Sequence, residues 1–223
     1  MIDKGKYFAF ACDDIIAKQS DLKLMDDWSD DAGQQMKIKI DTGVLADIRA
    51  QAHAQNMGAT AGADQDLNLG AAGAPVVLTK DNILDYFVDM GTVLDDWNIP
   101  DSSRWIVITP RIAALLKKSD LKDASMTGDG ESVLRNNRLG RIDRWTIYAS
   151  NNVYKEADAG AGNAVCYHVL FGHRSALTFA SQMTKMETLR AESTFGDLVR
   201  GLNVYGFKVV KPSSMGKLYC TKG

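Results

Sequence analysis

The sequence predicts a mixed α+β protein, and three observations predict it. A proline-free stretch from Asp13 to about Gln55 returns apolar residues at helical spacing. Two shorter helical patterns, opening near Thr79 and Thr109, flank a strand-like Arg104-Trp-Ile-Val-Ile-Thr109. The last third, from Ala176 to Pro212, is glycine-punctuated and strand-forming and carries charges but no catalytic signature.

In chain order, Tyr7-Phe-Ala-Phe10 reads as a short strand, and Asp13-Asp14 supplies an acidic helix start. Leu22, Met25, Trp28, Ala32, Met36, Ile40, Val44, Ile48 and Ala52 then recur every three or four residues, close to the helical repeat of about 3.6. The spacing predicts a helix over 13–57, about 60 Å long if continuous. Gly33 and Gly43 weaken it by up to about 1 kcal/mol each, so two helices broken near Gly33 remain the alternative. Residues 58–79 are rich in glycine and alanine, which predicts a flexible loop and the best candidate domain boundary.

Thr79 is the expected cap of a second helix with Ile83, Phe87, Met90, Leu94 and Trp97 on one face. Thr109-Pro110 opens a third, with proline at the first helical position and Ile112, Leu115 and Leu116 on its buried side. Residues 124–137 are polar and turn-rich. Trp145, Ile147 and Ala149 share one face of a strand, Val165 to Phe171 forms another, and further strands close the chain.

At 223 residues the chain can bury a substantial core. A formal net charge of -2, with dispersed basic residues, argues against a surface that grips polyanions. Cys12, Cys166 and Cys220 lie far apart and form no CxxC pair, which suits a reducing compartment better than a disulfide framework. No apolar run approaches the roughly 20 residues that span a bilayer, so no membrane partner is expected.

Motifs for chemistry are sparse. Ser175 follows Gly172-His-Arg but lacks the second glycine of a nucleophile elbow. Cys166 and His168 share a strand face, and with His173 they make too small a set for zinc. Asp26, Asp27, Asp30 and Asp31 lie on the long helix, which cannot wrap an ion as a ligand loop does; a solvated acidic patch, or a docking surface for a neighbour's basic side chains, is the better account. Thr127-Gly-Asp-Gly-Glu131 lacks the alternating ligands of a calcium loop. No catalytic residue, metal ligand or cofactor is therefore assigned, and a non-enzymatic role is expected.

Four segments, in order, resemble the tailed-phage major capsid family whose fold is known from phage Hong Kong 97. They are Tyr7-Phe-Ala-Phe-Ala-Cys-Asp-Asp14 running into the long helix, Arg104-Trp-Ile-Val-Ile-Thr-Pro110, Gly140-Arg-Ile-Asp-Arg-Trp-Thr-Ile-Tyr-Ala-Ser-Asn-Asn152, and the stretch from Ala176 to Pro212. The resemblance implies a Hong Kong 97-like fold: a remnant of an extended loop over 1–12, a spine helix over 13–57, an axial domain over 80–180 and peripheral-domain strands over 181–223. Family members carry an N-terminal arm and an outgoing loop half before the Tyr7 strand. The chain thus reads as a truncated or processed form, expected to be monomeric or to assemble poorly.

The implied function is a structural major capsid protein that self-assembles through pentamers and hexamers into an icosahedral head around phage DNA. Scaffolding and portal proteins are the implied partners, and DNA is held as non-specific contents. The implied location is the virion, after synthesis in the bacterial host cytoplasm. Position in the family nominates inter-subunit contacts at Lys185, Glu187, Arg190, Glu192 and Arg200 near the peripheral hairpin. Asp129, Glu131, Arg135 and Arg138, in the 122–138 loop, are nominated for the surface facing the capsomer axis. The alternatives are an encapsulin-type bacterial compartment shell, a small hydrolase using Ser175 or Cys166, and an elongated helical adaptor that leaves the strand-rich C-terminus unexplained.

Overall fold

The computed structural model describes residues 2–13, 24–119, 141–191 and 195–223. The chain forms two compact units, one of Met1–Val44 with Thr178–Lys208, the other of Leu45–Leu177 with Val209–Gly223.

The first unit holds a three-stranded sheet. Strand β1 (Lys4–Asp13) and strand β8 (Leu177–Arg190) flank β9 (Gly196–Val209). Strand β1 runs antiparallel to β9, with Phe8 opposite Gly201 and Phe10 opposite Val199. Helix α1 (Leu24–Ile48), which belongs to this unit as far as Val44, lies on the Phe8 and Phe10 side, where the Phe10 ring meets Trp28 edge-on at 6.0 Å. Its buried stripe of Met36, Ile40, Val44 and Ile48 is the one the sequence spacing predicts. The helix is shorter at its C-terminal end than the expected 13–57: it stops at Ile48, and His53 then caps a single 3-10 turn (Ala54–Asn56). It runs unbroken through Gly33 and Gly43, so the two-helix alternative fails; burial of the stripe outweighs about 1 kcal/mol per glycine.

The second unit is built on a seven-stranded sheet. Its strands are β2 (Val76–Leu78), β3 (Arg104–Ile108), β4 (Arg141–Ile142), β5 (Trp145–Ala149), β6 (Lys155–Asp158), β7 (Ala164–His173) and β10 (Met215–Lys222). The order is β2-β10-β7-β3-β5-β4, with β6 paired to the remaining stretch of β7. Pairs β2–β10 and β3–β5 are parallel; the others are antiparallel. Helices α2 (Ile83–Asp95) and α3 (Pro110–Lys118) cover one face. There Ile83, Phe87, Met90, Leu94, Ile112 and Leu116 join Ile106, Ile108, Val169, Phe171 and Leu218 in one core, each such side chain contributing about 1.5–3 kcal/mol on full burial. Trp145 sits inside it and donates its indole N–H to the Phe87 carbonyl at 3.0 Å.

Thr109 caps α3 as expected, accepting from the Ile112 amide, with Pro110 at the first position. The cap of α2 differs. The helix starts at Ile83, and Asn82 holds the preceding turn by accepting from the Thr79 amide and donating to the Val77 carbonyl. Trp97, expected on the buried stripe, lies past the helix end, where its indole donates to Asn56 Oδ1 at 2.8 Å.

The glycine- and alanine-rich 58–79 stretch is no boundary between the units: it lies inside the second. Ala61 and Leu69 are fully buried, and Val76–Leu78 adds a strand to the sheet. One glycine here serves close packing. Gly70 has φ +78°, and a Cβ at that position would overlap the Tyr219 carbonyl oxygen, where β10 comes closest. The final strand, expected among the peripheral strands, lies in the second unit between β2 and β7.

A buried arginine ties α2 to β3. Arg104 is fully buried in a strand whose other inward residues are Ile106 and Ile108. Its guanidinium donates to Asp95 Oδ1 at 2.6 Å and to the carbonyls of Gly91, Ile99 and Pro100, closing the C-terminal end of α2. Arg144 grips Asp95 and Asp101 from the solvent side at 2.8 and 2.9 Å. Burial alone raises the pKa of Asp95, but the two guanidinium groups outweigh it and hold the carboxyl below its ordinary range.

Candidate assembly surface

Alternation along β1 gives the first unit a second sheet face, opposite α1. Phe8, Phe10 and Cys12 point to the helix side, so Tyr7, Ala9 and Ala11 point away from it. The register sets Tyr7 opposite Leu202, Ala9 opposite Arg200 and Ala11 opposite Leu198. Strand β8 completes the face through Glu187, whose carboxylate accepts two hydrogen bonds from Arg200 at 2.6 and 2.8 Å. Lys185 pairs with the same carboxylate. Tyr7, Ala9, Lys185, Glu187, Leu198, Arg200 and Leu202 line a cleft of about 480 Å³ whose apolar part is Tyr7, Leu198 and Leu202. Tyr7 is 80% exposed, an unusual state for so large a ring in a strand.

The electrostatics of this face are self-contained. Lys185 and Arg200 hold Glu187 below its ordinary pKa, so the carboxylate stays ionised across the neutral range. Nearby, Arg190 pairs with Asp197 across the same two strands at 3.2 Å. What is left for a partner is an apolar surface with fixed, largely compensated charges at its edge.

Of the nominated contacts, Lys185, Glu187 and Arg200 thus come together, and Arg190 lies on the same hairpin. Glu192, Asp129, Glu131, Arg135 and Arg138 lie outside the described residues. Sequence reasoning missed Tyr7, Leu198, Leu202 and Asp197. The signal was present: β1 is apolar on both faces, whereas a strand with one solvated face alternates.

The other candidates fall into structural roles. Ser175 Oγ lies 2.8 Å from His173 Nδ1, which also accepts from the Ser175 amide, so the pair caps the short 3-10 turn Arg174–Ala176. Cys166 is buried and its thiol is pushed up by that burial, the opposite of an activated nucleophile. Among the described residues, no group of three or more His, Cys, Asp or Glu side chains could hold a metal ion. Among the same residues, no helix is long and apolar enough to cross a membrane.

Comparison with known proteins places this geometry in a family. A family model described as phage capsid protein matches residues 2–218. A chain in a structure of Mycobacterium phage Che8 is 25% identical, with a TM-score of 0.74, over 97% of this chain and 71% of that one. A chain of the cyanophage P-SCSP1u capsid is 17% identical, with a TM-score of 0.69, over 100% of this chain and 73% of that one. A virus-like particle from Pyrococcus furiosus shares the fold at 12% identity and a TM-score of 0.62, over 96% of this chain and 76% of that one. Comparison with curated proteins gives no match. With helices and sheets arranged as in those capsids and a family match along almost its whole length, the chain belongs to the phage capsid protein family and is a structural capsid protein.

Proposed function

We propose that copies of this chain build an icosahedral phage head around DNA, and that the outer face of β1, β9 and β8 is where one copy meets the next. A single observation carries the reading: a strand apolar on both sides leaves Tyr7, Leu198 and Leu202 uncovered beside a Lys185–Glu187–Arg200 triad whose charges already pair within the hairpin. Closed shells need one patch to meet a different patch on the next copy, and many modest contacts add up through repetition.

In this reading the first unit serves as the peripheral domain, with α1 as its spine. The second serves as the axial domain, with the 122–138 loop and its Asp129, Glu131, Arg135 and Arg138 toward the capsomer axis. Arg190 and Glu192 extend the contact at the hairpin end. Scaffolding and portal proteins complete the assembly. DNA is enclosed without being gripped, in keeping with the net charge of -2.

The test is a Tyr7→Ser, Leu202→Asp double variant. Particle yield by sedimentation and electron microscopy should fall at least tenfold while the melting temperature of the unassembled chain stays within about 3 °C, since both positions are exposed surface. An unchanged yield would remove the proposed surface. The likeness to an archaeal virus-like particle makes the contents a separate question. Nuclease-protected DNA in the particles supports a phage head, and packaged protein without DNA supports a compartment shell.

A further inference from the structure

The face of the second unit's sheet that points away from the α2–α3 core carries a polar layer that shell building does not explain. His168, in the middle of β7, is 3% exposed. Its ring lies between those of Tyr154, at 5.2 Å, and Tyr219, at 4.8 Å. Nε2 is 2.9 Å from Glu156 Oε1 on β6. A carboxylate can only accept, so Nε2 carries the proton and Nδ1 is bare in the neutral ring. Nδ1 is buried and has no hydrogen-bond partner.

The groups around this ring come from four segments. The Arg49 guanidinium, just past the end of α1, stacks 3.8 Å from the centre of the Tyr154 ring. Lys217 projects from β10 on the same face as Tyr219, whose register partner is His168. Tyr219 donates to Asp158 at 2.8 Å, and that carboxylate also accepts from the Gly73 and Gly160 amides. Cys166 shares the face on β7, and Glu156 is the carboxylate bonded to the ring.

We propose that His168 is an acid-sensitive latch: neutral, it holds Tyr154 and β6 against β7 and β10, and protonated, it releases them. A proton can enter only at Nδ1. There it finds no acceptor, and it adds a third positive charge to those of Arg49 and Lys217. Burial pushes the imidazole below its ordinary pKa; the Glu156 bond opposes this, while Lys217 and Arg49 act with burial. The latched state therefore has its full stability above about pH 6.5 and loses it as pH falls further.

Amide hydrogen exchange on the intact chain at pH 7.5 and 5.0, corrected for intrinsic rates, reads the latch. A group that titrates near 6.5 when released and stays neutral when latched gives up to about thirtyfold loss of protection at pH 5.0. Residues 154–158 and 164–168 should show this loss, and His168→Gln should abolish the pH dependence. No loss in the wild type, or the same loss in His168→Gln, overturns the proposal. Should His168→Gln fail to fold, Lys217→Met decides. With one cation fewer the latched ring takes up a proton more readily, so the loss of protection at pH 5.0 must be smaller than in the wild type, and an undiminished loss overturns the latch.

Discussion

Replacing Arg104 by Met should be among the most damaging single changes in the second unit. The native guanidinium is fully buried and makes four hydrogen bonds, three of them to the backbone carbonyls of Gly91, Ile99 and Pro100. Methionine fills similar volume but donates nothing, so those carbonyls lose a charged donor at about 1–1.5 kcal/mol each. Asp95 and Asp101 keep Arg144, so no carboxylate is left unpaired, which places the total at about 3–4 kcal/mol, toward the lower end for a broken buried pair. For a unit of this size that is a fall in melting temperature of roughly 6–16 °C. Thermal unfolding followed by tryptophan fluorescence is the assay, since Trp97, Trp105 and Trp145 all lie in this unit. Arg144→Met is the control; its partners are more than a third exposed, and it should cost no more than about 1 kcal/mol. An Arg104→Met loss no larger than that of the control would refute the reasoning.

Three further changes separate packing from assembly. Gly70→Ala and Gly73→Ala both force alanine to positive φ, but only at Gly70 does the new methyl meet backbone, at the Tyr219 carbonyl. Melting curves should show a loss of about 2–4 kcal/mol for the first and about 1 kcal/mol for the second; equal losses would mean that β10 does not approach as closely as described. Glu187→Lys places a third cation beside Lys185 and Arg200, on an exposed hairpin. Particle yield should drop while the melting temperature of the subunit barely moves, and an unchanged yield would exclude this hairpin from the contact.

Local patterns in the sequence reached the structure wherever local physics decides. The Met36–Ile40–Val44–Ile48 stripe, the Ile83–Leu94 face and the Thr109-Pro110 helix start all depend on neighbours within a turn or two. Non-local pairings were not legible. Val76–Leu78 reads as loop because its partner, the parallel strand around Cys220, lies at the other end of the chain. Arg104 breaks the apolar alternation of its own strand, and only the carbonyls at the end of α2 explain why a charge is buried there. At the candidate surface the charges drew attention first, yet they pair within the hairpin. The apolar residues beside them belong to a strand that is apolar on both faces, and which of those faces stays open is settled only by where the helix lies.

The claim on which the account rests is that this subunit is completed by its own copies through the outer face of the β1–β9–β8 sheet. Electron cryomicroscopy of particles formed by the protein addresses it most directly. The account predicts closed shells in which Tyr7, Leu198 and Leu202 are covered by a neighbouring subunit. Shells in which those side chains face open solvent would contradict it.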